Sequence, residues 1–111
     1  MKMIVVPLDT RAMERLDMDE AADAELNTLE LDQLDFDELW NSGVFQALND
    51  KLETVIDDYE DESIQGAGTL KLAERIIAEL IEANPKIANL RRLRELAEFA
   101  ADKNTGLFFY F

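Results

Sequence analysis

The chain contains no cysteine and no histidine among its 111 residues. Without cysteine there is neither a disulfide framework nor a thiolate nucleophile. Without histidine there is no Ser-His or Cys-His catalysis, no zinc-finger ligand set and no histidine pH switch. Because these groups carry much of hydrolytic chemistry, we expect a protein that is not an enzyme, with no catalytic residues and no cofactor.

Long apolar runs are also missing. A membrane-spanning helix needs about 18 or more consecutive apolar residues, and no segment approaches that length. The N-terminal run from Met1 to Leu8 is short, is followed at once by Asp9, and lacks the small-residue cleavage pattern of a signal peptide. We therefore expect a cytoplasmic protein that neither crosses nor enters a membrane.

Basic residues are scarce, with 11 lysines and arginines against 25 acids and a net charge of −14. Seventeen of those acids, and Lys51 as the one base, lie between residues 17 and 62, so this segment carries −16 and the remainder +2. Such a charge repels nucleic acid and anionic lipid and favours a basic protein partner. A solvated acidic face with no partner is the simpler alternative.

The apolar pattern predicts one domain over residues 1–111, since 48% of the chain is hydrophobic. We expect an α+β fold that is predominantly α-helical. Three to five helices should pack on a small sheet formed by the N-terminal strand (about 2–7) and the C-terminal strand (about 107–111). The first segment is rich in β-branched residues, and the aromatic tail, Leu107-Phe108-Phe109-Tyr110-Phe111, has high β propensity.

Helical spacing of apolar residues predicts helices over about 11–16 and 43–60, then from about 69 to 84 and from Pro85 to about 103. Gly106 is expected as a left-handed cap at the end of the last one. Residues 17–35 are expected to be mostly irregular, with a short helix over about 20–26. Residues 63–68, which include two glycines, are expected to form a loop.

The strongest candidate for partner binding is an acidic run at the expected end of the helix over 43–60: Asp57, Asp58, Tyr59, Glu60, Asp61 and Glu62. Acids are unfavourable at a helix C-terminus, which carries partial negative charge, so their concentration there suggests a use other than stability. Tyr59 is either a binding anchor or part of the helix's apolar stripe. Trp40 has the same two interpretations, with a core role favoured.

A second set of candidate contact residues is Asp32, Asp35 and Asp37. Neither this set nor the acids near Asp17 fits a calcium-binding EF-hand loop, because apolar residues stand where the fifth and sixth loop positions need an oxygen ligand and glycine. A glycosidase pair of carboxylates needs a cleft that a small helical chain does not offer. No metal is expected. Arg91, Arg92 and Arg94 are expected to pair with the protein's own acids.

The dense acidic surface, with the run over residues 57–62 and the broader acidic stretch over 17–37, resembles the small immunity proteins of bacterial toxin systems, of the colicin or contact-dependent inhibition type. The resemblance is one of overall type across the whole chain, without a motif match. It implies a protein that binds and neutralises a cognate basic toxin, such as a nuclease, through its acidic face.

Two other functions share the same electrostatics. A nucleic-acid mimic would inhibit a DNA- or RNA-binding protein and would space its carboxylates like phosphates. An acidic regulatory subunit would dock on a basic partner without inhibiting it. The position of the gene separates the first function from the others, because an immunity gene should directly follow a toxin gene.

Overall fold

A sheet of four antiparallel strands lies at the centre of the fold, in a computed structural model that describes all 111 residues. In chain order the strands are β1 (Lys2–Pro7), β2 (Leu26–Leu31), β3 (Glu62–Gln65) and β4 (Gly106–Tyr110). Their spatial order is β2-β1-β4-β3, so the first and last strands of the chain are the two central ones.

The expected pairing of the two chain ends is confirmed. Ile4 pairs with Phe109 and Val5 with Phe108, in antiparallel register. Ile4 and Phe109 are completely buried, because both point into the helical layer. The aromatic tail is therefore placed by backbone pairing with β1 and by burial of alternate rings.

Five α-helices pack on this sheet, so the predicted α+β class is confirmed. They are α1 (Thr10–Asp17), α2 (Gln33–Asn41), α3 (Val44–Leu52), α4 (Ala67–Ala83) and α5 (Ala88–Lys103). None of these helices has the length and apolar character needed to cross a membrane.

The helices form two unequal layers. Helices α2 to α5 share one cluster of 21 buried residues with the sheet, including Ile4, Val6, Leu107 and Phe109. The alternate strand residues point to the opposite face, where α1 lies against β1 and Ala12 and Val5 are buried. Because α1 has only eight residues, part of this second face stays uncovered.

The edge strand β2 corrects the expectation that residues 17–35 are mostly irregular. It pairs with β1 along its whole length, from Leu26↔Pro7 to Leu31↔Lys2. The polar residue Asn27 hides the strand pattern of alternating apolar and polar residues. Its amide oxygen accepts a hydrogen bond from Arg92 at 2.7 Å, which satisfies this polar group in the fold. Residues 20–26 form only one turn of 3₁₀-helix, Asp23–Glu25, before the strand begins.

The second edge strand, β3, corrects the loop expected over residues 63–68. Ile64 pairs with Leu107 and is buried, although its neighbours in the strand are polar. Gly66 then turns the chain into α4 with φ +90°, a conformation that side chains with a Cβ rarely adopt. At the end of α5 the left-handed residue is Asn104, with φ 55°, whereas the expected cap Gly106 belongs to β4.

The helix expected over 43–60 ends early, at Leu52, and this correction matters most for function. Glu53 is left-handed with φ 56°, and the chain continues as a connecting loop over residues 53–61. The Asn49 side chain accepts from the Ile56 N–H at 2.8 Å and donates to its carbonyl at 3.0 Å. Ile56 thus reaches the core from the loop, which explains why its spacing imitated a longer helix.

Candidate functional site

The acidic run over residues 57–62 lies in the connecting loop and at the start of β3, not at a helix end. Asp57 and Glu60 form an isolated antiparallel bridge, so Asp58 and Tyr59 occupy the tip of a tight turn. We call residues 57–60 the acidic turn. The Asp57 carboxylate accepts from the Tyr59 N–H at 3.2 Å and fixes the turn locally.

The tip of the acidic turn displays Tyr59, which is 87% exposed. The core interpretation of Tyr59 is therefore wrong. A tyrosine ring in water leaves a large amphipathic surface available for contact. Tyr59 is the most exposed large aromatic side chain of the fold.

A groove of about 370 Å³ lies between the acidic turn and α2. We call it the aromatic groove, and its lining consists of Phe36, Asp37, Trp40, Asp57, Asp58 and Tyr59. Trp40 is half-buried and packs against the core, with its ring 5.8 Å from that of Phe36. Trp40 therefore combines its two predicted roles, since one part of the ring packs inside and another part forms the groove wall.

An ion pair holds the acidic turn against the sheet. The Lys2 ammonium lies 2.5 Å from Oδ1 of Asp58, a buried oxygen that has no hydrogen bond of good geometry. The same ammonium lies 4.7 Å from the centre of the Phe36 ring. An acid and an aromatic ring of this groove thus already bind one cation, the ammonium of Lys2.

The other predicted contact residues have different surroundings. Asp32 caps α2 by accepting from the Asp35 N–H at 2.8 Å, a position where negative charge stabilises the helix. Glu62 accepts from the Val55 N–H at 2.8 Å and so fastens the connecting loop to β3. The carboxylates of Asp32 and Glu62 therefore stabilise the fold by accepting backbone hydrogen bonds.

Asp37 is the one residue of the second predicted set that lines the aromatic groove. It joins the acidic turn there although about 20 residues separate the two in sequence. Glu60 and Asp61 are exposed, and their side chains make no hydrogen bond or ion pair with the rest of the fold.

Asp61 and Glu62 also line a second depression, on the sheet face that α1 leaves uncovered. We call it the sheet cleft, and its lining consists of Leu16, Asp17, Asp19, Asp61, Glu62, Ser63, Phe108 and Tyr110. Its volume is about 270 Å³. The cleft brings acids from the Asp17 region and from the acidic run to one place, which the sequence did not reveal.

Two aromatic residues of β4 form the floor of the sheet cleft. The Phe108 and Tyr110 rings stack with centroids 6.5 Å apart and an angle of 15°. The pKa of Tyr110 is raised, first because burial disfavours the charged phenolate and then because Asp61, Asp19 and Asp17 repel it. Strand alternation was the signal that could have found these rings, since Leu107 and Phe109 face the core.

The opposite side of the molecule differs in charge. Arg92 lies 3.7 Å from Glu95 and Arg94 lies 3.8 Å from Glu74, as expected for arginines that pair with the protein's own acids. Arg91 instead donates to the Pro85 carbonyl at 2.8 Å. The excess negative charge is thus concentrated away from the α4–α5 pair.

The acids do not converge in a way that suits a metal ion, because no group of three or more carboxylates has the necessary geometry. No family model, no curated protein and no solved structure matches the chain.

Proposed function

We propose that the protein is an inhibitor of the immunity type, which binds a basic protein partner such as a toxin nuclease through the aromatic groove and the acids around it. The observation that carries this proposal is the almost full exposure of Tyr59 at the tip of a fixed acidic turn, beside half-buried Trp40. Tyrosine and tryptophan are enriched among the residues that dominate binding energy.

The geometry favours a protein partner. Tyr59, held out in water by a tight turn, presents an amphipathic ring that a partner can bury. The turn is also fixed before binding, by the Lys2–Asp58 ion pair and by the hydrogen bonds between Asn49 and Ile56. A preformed turn lowers the entropy that must be lost when a partner binds.

The charge supports fast capture of a cationic protein. A concentrated negative field can raise association rates to about 10⁸ M⁻¹s⁻¹ or more at low salt, and salt screens this effect. A nuclease needs a cationic surface for its own substrate, and an acidic face complements such a surface. Rapid neutralisation is what a cell that makes a toxic nuclease requires.

Anchoring by aromatic residues also separates this function from mimicry of nucleic acid. Tyr59 and Trp40 offer apolar contacts that a row of phosphates lacks, so specificity for one partner is expected. The protein should therefore inhibit one cognate partner and leave unrelated DNA-binding proteins active.

The proposal is tested with the product of the gene directly upstream, expressed with and without this protein in a bacterial host. We expect the upstream product to arrest growth and co-expression of this protein to restore it. Asp37→Lys with Glu60→Lys should slow association of the purified pair, whereas Glu79→Lys with Glu82→Lys, two exposed acids on α4, should not. Growth that the upstream product does not affect, or equal rates for both double variants, would refute the proposal.

A further inference from the structure

The sheet cleft lies on the part of a sheet face that α1 leaves uncovered. Helix α1 covers the part of the face around Val5, and Phe108 and Tyr110 beyond it are half-buried. On the central strands, Tyr110 pairs with Met3, and Met3 pairs with Glu30 of β2. An apolar strip that ends in an acid therefore crosses the uncovered part of the sheet.

The rim of this face is acidic and includes the C-terminus of α1. Asp17 is the last residue of that helix and Asp19 follows its cap. The C-terminal end of a helix carries partial negative charge, so it adds to the field of Asp17, Asp19 and Asp61. A cation on the rings of Phe108 and Tyr110 would meet negative charge from both sides of the cleft.

Asp19 occupies a position that suits glycine better. Its N–H donates to the Leu16 carbonyl at 3.0 Å, and the Glu20 N–H donates to the Arg15 carbonyl at 2.7 Å. These bonds form the Schellman arrangement, in which the left-handed residue is usually glycine, and Asp19 has φ 55°. An aspartate there is disfavoured both by its backbone conformation and by its charge at the helix end.

We propose that the sheet cleft receives an arginine side chain of the basic partner, whose guanidinium lies on the Phe108 and Tyr110 rings and pairs with Asp19 and Asp61. This inference rests on the proposed function, since it assigns a second contact of the same partner. A planar guanidinium suits the cleft because it stacks on aromatic rings and binds carboxylates through its edge.

A lysine fits the cleft less well than an arginine. An ammonium is a compact, strongly hydrated charge and cannot stack. The two rings are nearly parallel, with centroids 6.5 Å apart and an interplanar angle of 15°, so a planar guanidinium can lie parallel to both of them. The cleft should therefore discriminate between the two cations, which a solvated acidic patch would not do.

The probe for the test is an oligoarginine peptide with blocked termini, compared with an oligolysine peptide of equal length. Ring-proton NMR signals of Phe108 and Tyr110 are followed during titration of the full-length protein at low ionic strength. We expect saturable shifts of both rings, about threefold or tighter binding of the arginine peptide, and a lower Tyr110 pKa in the complex, because the bound cation stabilises the phenolate.

Two matched variants separate the cleft from general charge. Asp19→Gly removes one acid and places glycine at a left-handed position, which relieves backbone strain. Glu53→Gly makes the same two changes at the end of α3, outside the cleft. We expect Asp19→Gly to weaken binding of the arginine peptide about fivefold, as for loss of one charge-assisted contact, without loss of fold stability. Glu53→Gly should have less than half of that effect.

Four results would overturn the cleft proposal. Equal weakening by both glycine variants, or equal affinity for both peptides, would reduce the cleft to a part of a diffuse acidic field. Shifts confined to Tyr59 and Trp40 would refute the cleft but leave the proposed function intact. Absence of saturable binding by either peptide would refute the cleft and would also count against the proposed function.

Discussion

Replacement of Asn49 by alanine is the sharpest test of how the protein displays its acidic turn. The Asn49 side chain makes three hydrogen bonds: with the Ile56 N–H at 2.8 Å, with the Ile56 carbonyl at 3.0 Å and with the Thr54 hydroxyl at 2.8 Å. They connect the last turn of α3 to the connecting loop. Because Ile56 itself is buried, its freed backbone groups would be poorly hydrated in the variant.

The magnitude follows from these contacts. A hydrogen bond contributes about 1 kcal/mol net, and an unsatisfied buried group costs about 1–3 kcal/mol, so Asn49→Ala should lower the free energy of unfolding by about 2–3 kcal/mol. Such a loss corresponds to a decrease of about 1–2 M in the urea midpoint. Hydrogen exchange at the Ile56 amide should accelerate more than exchange in α4, because the loop opens locally.

Two variants control this prediction. Asn49→Asp keeps the acceptors for the Ile56 N–H and the Thr54 hydroxyl but replaces the donor to the Ile56 carbonyl with a charged oxygen that repels it, so we expect a loss similar to that of Asn49→Ala. Asn41→Ala removes an exposed asparagine whose side chain makes no hydrogen bond in the fold, and its effect should stay within about 0.5 kcal/mol. If Asn49→Ala were as mild as Asn41→Ala, the account of the loop would be wrong.

Three further predictions concern the Lys2 ion pair, the α1 terminus and Tyr110. Lys2→Met should lower the free energy of unfolding by about 1 kcal/mol, a value reduced by the partial exposure of the pair, and a double-mutant cycle with Asp58→Asn should assign about half of it to the pair. Asp19→Gly should raise the free energy of unfolding by about 0.5–1 kcal/mol in urea titrations, and a decrease would contradict the strain argument. Because the folded-state pKa of Tyr110 is raised, its stabilising effect is complete below the unfolded-state pKa of about 10 and is lost as the pH rises through the folded-state value. The stability of wild type relative to Tyr110→Phe should therefore fall above about pH 10, and a constant difference would refute the burial of the phenol.

The sequence was informative where local pattern and burial agree. The first strand is rich in β-branched residues and the last one is aromatic, so both have high β propensity, and their pairing joins the chain ends as expected. Pro85 correctly marked the end of α4, because a proline disfavours helical geometry in the residue before it, whereas α5 begins at Ala88 and not at Pro85 as expected. These elements can be predicted from a few neighbouring residues, without knowledge of distant contacts.

The elements that the sequence missed depend on distant partners. Strand β2 is a strand because β1 offers it a full register and Arg92 satisfies Asn27, and neither contact is visible locally. The end of α3 is set by Asn49, whose side chain reaches seven residues ahead to Ile56. An apolar residue at helical spacing can thus enter the core from a loop.

The sequence predicted the acidic residues of the candidate site but not their arrangement in the fold. The acidic run was identified, whereas its placement at a helix end was wrong, so the argument from the helix dipole applies to Asp17 and Asp19 at the end of α1 instead. The partnership of Asp37 with the acidic turn, and of Asp61 with Tyr110, arises only from the fold. Such contacts need the tertiary arrangement of α2, β3 and β4.

The central claim is that Tyr59 anchors a basic partner in the aromatic groove. It is tested most directly by the dissociation constant of the complex with the upstream gene product, measured by calorimetry for wild type and Tyr59→Ala, with Leu72→Ala on α4 as the control. Loss of an anchor costs about 2 kcal/mol or more, so Tyr59→Ala should weaken binding about thirtyfold and Leu72→Ala less than about threefold. Equal dissociation constants for wild type and Tyr59→Ala would contradict the account.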